Sequence, residues 1–285
     1  MTSIIDGKKT AAALRDKLKE EIQTLKEKVG SEPGLAVILV GDDPASAVYV
    51  KNKERACRAV GIESSAYYLP ADTAQEDLLS LIDSLNDDPA VNGILCQLPL
   101  PDSFDEQIVL DRISPEKDVD GLHPLNVGLL CQDRPGFVPC TPAGIMHLLA
   151  EYEVELAGKN CLIIGRSRLV GKPLAQLLLR ENATVTVAHS HTQGLARLAA
   201  QADLLIVAAG VSGLVSQAFV KPGAVVIDVG IHRSETGELS GDVRSDAVGE
   251  ADLYTPVPGG VGPMTVTMLL HNTVRAFKKQ IGERL

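Results

Sequence analysis

The chain has 285 residues, a hydrophobic share of 45%, only 3% aromatic residues, no Trp, and a formal net charge of −10. At about 100–200 residues per domain, that length predicts two domains, and the shortage of aromatics requires cores of Leu, Ile, Val and Ala, as in parallel sheets buried on both faces. The acidic balance argues against nucleic acid and anionic membrane surfaces as partners, while leaving room for an anionic small substrate in a local basic pocket.

The segment Met1–Thr10 contains Asp6 and no apolar core, so it does not read as a signal peptide. Apolar residues at Leu14, Leu18, Ile22 and Leu25 predict a helix over 8–29. The aliphatic run Leu35–Val40 reads as a buried strand, followed by a helix that Pro44 opens and Gly61 stops. A strand over 65–69, a helix over 74–85 and a strand over 91–98, closed by Pro99 and Pro101, complete a first lobe. The segment Pro139-Cys-Thr-Pro142 begins a second, with Thr141 as N-cap and Pro142 at the first helical position. Strands over 160–164, 184–188, 203–208 and 225–229 follow, with a helix over 169–180 and a last helix from Thr265. No apolar run approaches the ~20 residues that span a bilayer.

Alternating strands and helices imply parallel sheets joined by right-handed crossovers. The expected architecture is α/β in two lobes: residues 1–139, with a C-terminal helix 265–285 packing back on them, and residues 140–264. The cysteines Cys57, Cys96, Cys131, Cys140 and Cys161 are odd in number and scattered, without metal-ligand spacing. No metal site is expected, and the compartment reads as reduced and cytoplasmic.

In the second lobe, the strand 160–164 runs into Gly165-Arg-Ser-Arg-Leu-Val-Gly171-Lys-Pro173. A glycine turn between strand and helix presents backbone N–H groups and a positive dipole end, both suited to a pyrophosphate. Ser167 stands where the second glycine of the usual fingerprint would be, so the loop alone also fits an ordinary strand-to-helix turn. An NAD site usually places a carboxylate ~20 residues further on. Here no carboxylate lies between Thr184 and Thr192, while Arg166 and the hydroxyl of Ser190 suit a 2′-phosphate. That combination favours NADP. Ile231, after Asp228-Val-Gly, is a backbone contact candidate at the same sheet edge.

In the first lobe, Ser46, Tyr49 and Lys53 share one helix face. An aromatic ring and an amine there could serve a flat substrate; spacing alone favours a solvated lysine beside a partly buried tyrosine. Gln97 ends an aliphatic strand at a site rim or as a satisfied edge residue. Asp120 lies in a turn and could bind a cyclic amidine edge or be a plain turn aspartate. The loop 258–263 is too rich in Gly and Pro for regular structure, and could admit a flat ligand close to its backbone.

Together these blocks resemble the bifunctional methylenetetrahydrofolate dehydrogenase/cyclohydrolase family: Ser46-x-x-Tyr49-x-x-x-Lys53, Gly93-Ile-x-x-Gln97-Leu-Pro-Leu-Pro101, Lys117-Asp-Val-Asp120-Gly121, His123-Pro-x-Asn126-x-Gly128, Pro139-Cys-Thr-Pro142, Gly165-Arg-Ser-x-x-Val-Gly171 and Thr255-Pro-Val-Pro-Gly-Gly-Val-Gly-Pro-Met-Thr265. The resemblance implies a Rossmann-like NADP lobe after a catalytic lobe, with the folate in a cleft between them. It implies Lys53 as catalytic lysine, Tyr49 stacking on the substrate, Gln97 assisting and Asp120 anchoring the pterin. Ser46, Leu98, Pro258, Gly259 and Gly260 would also meet the folate. Gly165, Arg166, Ser167, Ser190 and Ile231 would hold NADP. It implies tetrahydrofolate derivatives as substrates and a homodimer.

Other readings make distinct predictions. One alternative is a monofunctional dehydrogenase on the same fold, against which the Lys53–Gln97 pair favours both activities. A non-catalytic NADP sensor would lack Lys53, Gln97 or Asp120. A short-chain dehydrogenase would carry Tyr-x-x-x-Lys after its nucleotide loop, whereas Tyr49 and Lys53 precede it.

Overall fold

A computed structural model describes residues 2–234 and 236–283. Met1, at the start of the expected first lobe, and Arg284 and Leu285, at the end of the expected last helix, lie outside the described residues. The described strands are, in chain order, β1 (Ser3–Ile4), β2 (Gly34–Val40), β3 (Glu63–Leu69), β4 (Gly93–Cys96), β5 (Asn160–Ile164), β6 (Thr184–Ala188), β7 (Leu204–Val207), β8 (Val225–Asp228), β9 (His232–Arg233), β10 (Leu239–Ser240) and β11 (Leu253–Tyr254).

The chain divides into two compact units. One holds Ala13–Cys140 together with the residues from Val266 onward. Its sheet is parallel, in the order β3-β2-β4. All seven residues of β2 are buried, which explains its unbroken aliphatic run. Leu78, Ile82 and Leu85 of the helix Gln75–Asp87 pack with Ile38, Ile94 and Cys96 in its core. The register pairs Ile38 with Cys96, so Gln97 emerges directly beyond the last pair, its N–H donating to the Ile38 carbonyl.

The other unit holds the residues up to Ala12 together with Thr141–Thr265. Its main sheet has six strands in the order β1-β11-β8-β7-β5-β6, every neighbouring pair parallel. The hairpin β9–β10 stands beside it as a separate antiparallel pair. Residues 3–4, expected within the first lobe, form a strand of this sheet because Ser3 and Ile4 pair with Leu253 and Tyr254.

Three sequence expectations need correction. The last helix begins at Val261, not Thr265, and ends at Gln280. Val261, Gly262 and Pro263 are therefore its first turn rather than irregular loop, a place where proline is tolerated because its missing N–H has no intrahelical partner. The helix Cys140–Glu151 begins one residue before Thr141, whose hydroxyl pairs with that of Thr265 at 2.9 Å instead of capping. The strand expected over 91–98 is confined to Gly93–Cys96.

Candidate active site

The helix Pro44–Val60 forms for local reasons. Pro44 opens it, the Asp43 carboxylate accepts from the Ser46 N–H at 2.7 Å, and Gly61 at φ 91° ends it. Its apolar side buries Val50 and Cys57. Ser46 is buried, Tyr49 is exposed, and Lys53 is partly buried one turn on.

Lys53 Nζ donates to Gln97 Oε1 at 2.7 Å. The Gln97 amide nitrogen in turn donates to the Leu98 carbonyl at 2.7 Å, which turns its oxygen toward the amine. Burial lowers the Lys53 pKa, and Asp120, Cys140 and Cys57 push it the other way. Lys53, Gln97, Leu98 and Asp120 thus belong to one unit, and the structure brings Lys53 and Gln97 into contact.

The turn that carries Asp120 is built by residues beside it. Buried Asp118 accepts from Leu122 N–H at 3.1 Å, His123 N–H at 2.8 Å and Asn126 Nδ2 at 2.8 Å. Burial nonetheless raises its pKa, against those donors. Gly121 sits at φ 71°, where a Cβ would lie 2.6 Å from Pro139 N. Asn272 on the last helix donates to the carbonyls of Val119 at 2.8 Å and Val138 at 3.1 Å, clamping both sides of the turn. Lys117 serves the helix Gln75–Asp87: its Nζ donates to the Leu85 and Asp88 carbonyls. Asn272 escaped the sequence reading because a polar residue inside a terminal helix has no local signature.

In the other unit, Gly165 at φ 129° ends β5, and a Cβ there would stand 2.1 Å from the Ala208 carbonyl oxygen. A Cβ at Gly171 would stand 2.1 Å from the Gly165 oxygen. Two glycines are therefore required for the turn to fold onto the helix Gly171–Arg180. Ser167 Oγ accepts from Val170 N–H at 3.1 Å. Ile164 pairs with Ala188, so Arg166 and Ser190 each lie two residues past the same rung, and both are exposed. His189 and His191 shape that turn: the His191 N–H donates to His189 Nδ1 at 3.2 Å.

Ile231 lines a cavity of about 160 Å³ with Pro258, Gly259, Gly260 and Lys8. Residues assigned separately to cofactor and substrate therefore meet at one surface of this unit. Lys8 was not foreseen; its N–H donates to the Gly259 carbonyl at 3.0 Å. Among the described residues no three His, Cys, Asp or Glu cluster so as to hold a metal ion.

Two family models match the chain. The tetrahydrofolate dehydrogenase/cyclohydrolase catalytic domain matches residues 5–120, and the NAD(P)-binding domain of the same family matches residues 139–281. A bifunctional protein FolD of Streptococcus pneumoniae serotype 4 is 57% identical over 285 residues, covering 100% of both chains. That of Geobacillus thermodenitrificans is 55% identical over 277 residues, covering 97% of each. Among solved structures, the bifunctional enzyme FolD of Campylobacter jejuni superposes with a TM-score of 0.96 at 50% identity, covering 98% of this chain and 99% of that one. The Trypanosoma brucei dehydrogenase-cyclohydrolase, complexed with NADP cofactor and inhibitor, gives 0.95 at 41% identity, covering 99% of each.

Proposed function

The chain belongs to the tetrahydrofolate dehydrogenase/cyclohydrolase family, and from that membership we propose how its residues divide the work. The enzyme oxidises 5,10-methylenetetrahydrofolate to 5,10-methenyltetrahydrofolate with NADP+, and hydrolyses that product to 10-formyltetrahydrofolate.

The residues present fit the cofactor. The Gly165–Gly171 turn is a cradle that a Cβ would fill, and it leads into the N-terminus of the helix Gly171–Arg180, where a pyrophosphate is favoured. Arg166 and Ser190 stand at one edge with no carboxylate between Thr184 and Thr192, a donor set for a 2′-phosphate rather than a free ribose. Ile231 and Ser167 complete the set. NADP+, when bound, supplies the carbon that accepts a hydride. The chain's part in that step is positioning, since N5 and N10 of the substrate stabilise the amidinium product and no proton has to leave.

Hydrolysis needs proton handling, and Lys53 does it. Water adds to the methenyl carbon while its proton passes to the Lys53 amine. The bond from that carbon to N5 then breaks as the Lys53 ammonium returns a proton to N5. The remaining hydroxyl proton goes to solvent, leaving a formyl group on N10. Lys53 serves as base only when neutral, a state that burial favours. Gln97 fixes the amine, Asp120 anchors the pterin through paired hydrogen bonds, and exposed Tyr49 stacks on it. Ser46 and Leu98 line the same site. Pro258, Gly259 and Gly260 offer the flat ring backbone rather than side chains.

We further propose that residues 13–140 with the last helix carry most of the folate chemistry, and that the unit of residues up to 12 and 141–265 holds the cofactor and lends Pro258, Gly259 and Gly260 to the folate. We also propose that the enzyme works in the cytoplasm as a homodimer, with neither nucleic acid nor membrane as partner. The net charge of −10 supports the last two exclusions. Among the described residues, no helix is long and apolar enough to cross a membrane.

The observation that carries the catalytic assignment is the 2.7 Å bond from Lys53 Nζ to Gln97 Oε1. Its test is an assay of methenyl decay without NADP, run beside a dehydrogenase assay with NADP and NAD in parallel.

A further inference from the structure

Two buried carboxylates hold the sheet edge that carries Ile231. Asp228 ends β8, and Asp242 follows the hairpin β9–β10; both are buried, Asp242 completely. Asp242 Oδ2 accepts from two consecutive backbone N–H groups, Ala209 at 2.7 Å and Gly210 at 2.9 Å. Its Oδ1 meets His232 Nε2 at 2.7 Å. Its own N–H donates to Asp228 Oδ1 at 3.0 Å, an oxygen that also accepts from Gly230 N–H at 3.0 Å.

These partners are not scattered. Ala209 and Gly210 form the turn directly after β7, and Gly230 precedes Ile231 in the turn after β8. Ala208, one residue before the Asp242 contacts, is the backbone against which Gly165 packs. The close approach is bought by two glycines: a Cβ at Gly230 would stand 2.3 Å from Asp242 Oδ1, and one at Gly241 would stand 1.8 Å from Asp228 Oδ2.

We propose that Asp242 is a positioning residue for NADP: without touching the cofactor, its carboxylate fixes the turn after β7 directly and its backbone N–H supports, through Asp228, the turn after β8, so that the backbone beside Gly165 and at Ile231 is preformed for the dinucleotide. His232 holds the second oxygen of Asp242 and keeps the first on Ala209 and Gly210. Preforming such a turn lowers the ordering cost that binding would otherwise carry. The inference rests on the assignment of NADP to this unit.

The test is the NADP dissociation constant by calorimetry for wild type, Asp242→Ala and Asp242→Asn. Alongside it run methenyl hydrolysis without NADP and amide hydrogen exchange at Ala209 and Gly210. Losing charged acceptors for two N–H groups predicts a dissociation constant roughly 10–100-fold higher for Asp242→Ala. Asp242→Asn keeps the shape and one acceptor but loses the charge, which predicts a rise of about three- to tenfold. Both exchange Ala209 and Gly210 faster than wild type and hydrolyse methenyltetrahydrofolate at the wild-type rate. If Asp242→Ala does not fold, the isosteric Asp242→Asn decides. A folded Asp242→Asn protein binding NADP within about twofold of wild type overturns the inference, as does parallel loss of NADP-free hydrolysis. Wild-type protein that bound no NADP would overturn the cofactor assignment as well.

Discussion

Lys53 Nζ donates to Gln97 Oε1 at 2.7 Å, and the nitrogen of the same amide is held by the Leu98 carbonyl at 2.7 Å. The amide is anchored at one end and reads the amine with the other. A neutral acceptor can hold the lysine in either protonation state, whereas a carboxylate in its place would favour the ammonium.

That difference yields a signed pH prediction. The Lys53 pKa lies below the 10.5 of a free lysine because of burial, so hydrolysis rises with pH as the amine loses its proton. Gln97→Glu moves that limb upward by about one pH unit or more. A pH–rate profile of NADP-free methenyl hydrolysis measures it. An unmoved or lowered limb in the folded variant would speak against Lys53 as the titrating base.

Arg166 is exposed and stands level with Ser190. If it reads the 2′-phosphate, Arg166→Ala raises the KM for NADP by roughly 10–100-fold, the worth of a charge-assisted hydrogen bond. The KM for NAD, which lacks that phosphate, changes by no more than about threefold on the same reasoning. Equal loss with both dinucleotides would show that Arg166 supports the loop rather than the selectivity.

Asp228 gives a stability prediction. Burial pushes its pKa up to about 6, with the Asp242 charge adding to the rise and three backbone donors opposing it. A carboxyl whose folded pKa exceeds its unfolded value stabilises most when protonated. Its contribution is full below the unfolded pKa of about 3.9 and fades as pH rises through about 6. The advantage of wild type over Asp228→Asn in urea unfolding should therefore shrink between pH 4 and 7, by on the order of 1–3 kcal/mol. A constant gap would mean that Asp228 titrates alike in both states.

Much of this was legible in the sequence because short-range chemistry wrote it there. The run Leu35–Val40 is aliphatic because every residue of β2 is buried, and Pro44 and Gly61 mark a helix through backbone geometry. Lys53 and Gln97 were each visible, but their contact is a long-range fact that spacing does not encode. The two-residue strands β1, β9, β10 and β11 are too short for any alternation to appear. Lys117 and Asp118 stand in the block that carries Asp120, but they tie helix ends and turn backbone, work that a local motif does not reveal. The Gly-Pro segment before Thr265 hid a helix start, because glycine and proline lower helix propensity while the first turn tolerates both.

The most direct test of the catalytic account is NADP-free methenyl hydrolysis by Lys53→Met, followed by the fall of near-ultraviolet absorbance. Met fills the same space without a proton acceptor. The rate is expected to fall by about 10²–10⁴-fold, the usual contribution of general acid–base catalysis, in a variant that still binds NADP. A correctly folded Lys53→Met enzyme hydrolysing its substrate at the wild-type rate would contradict that account.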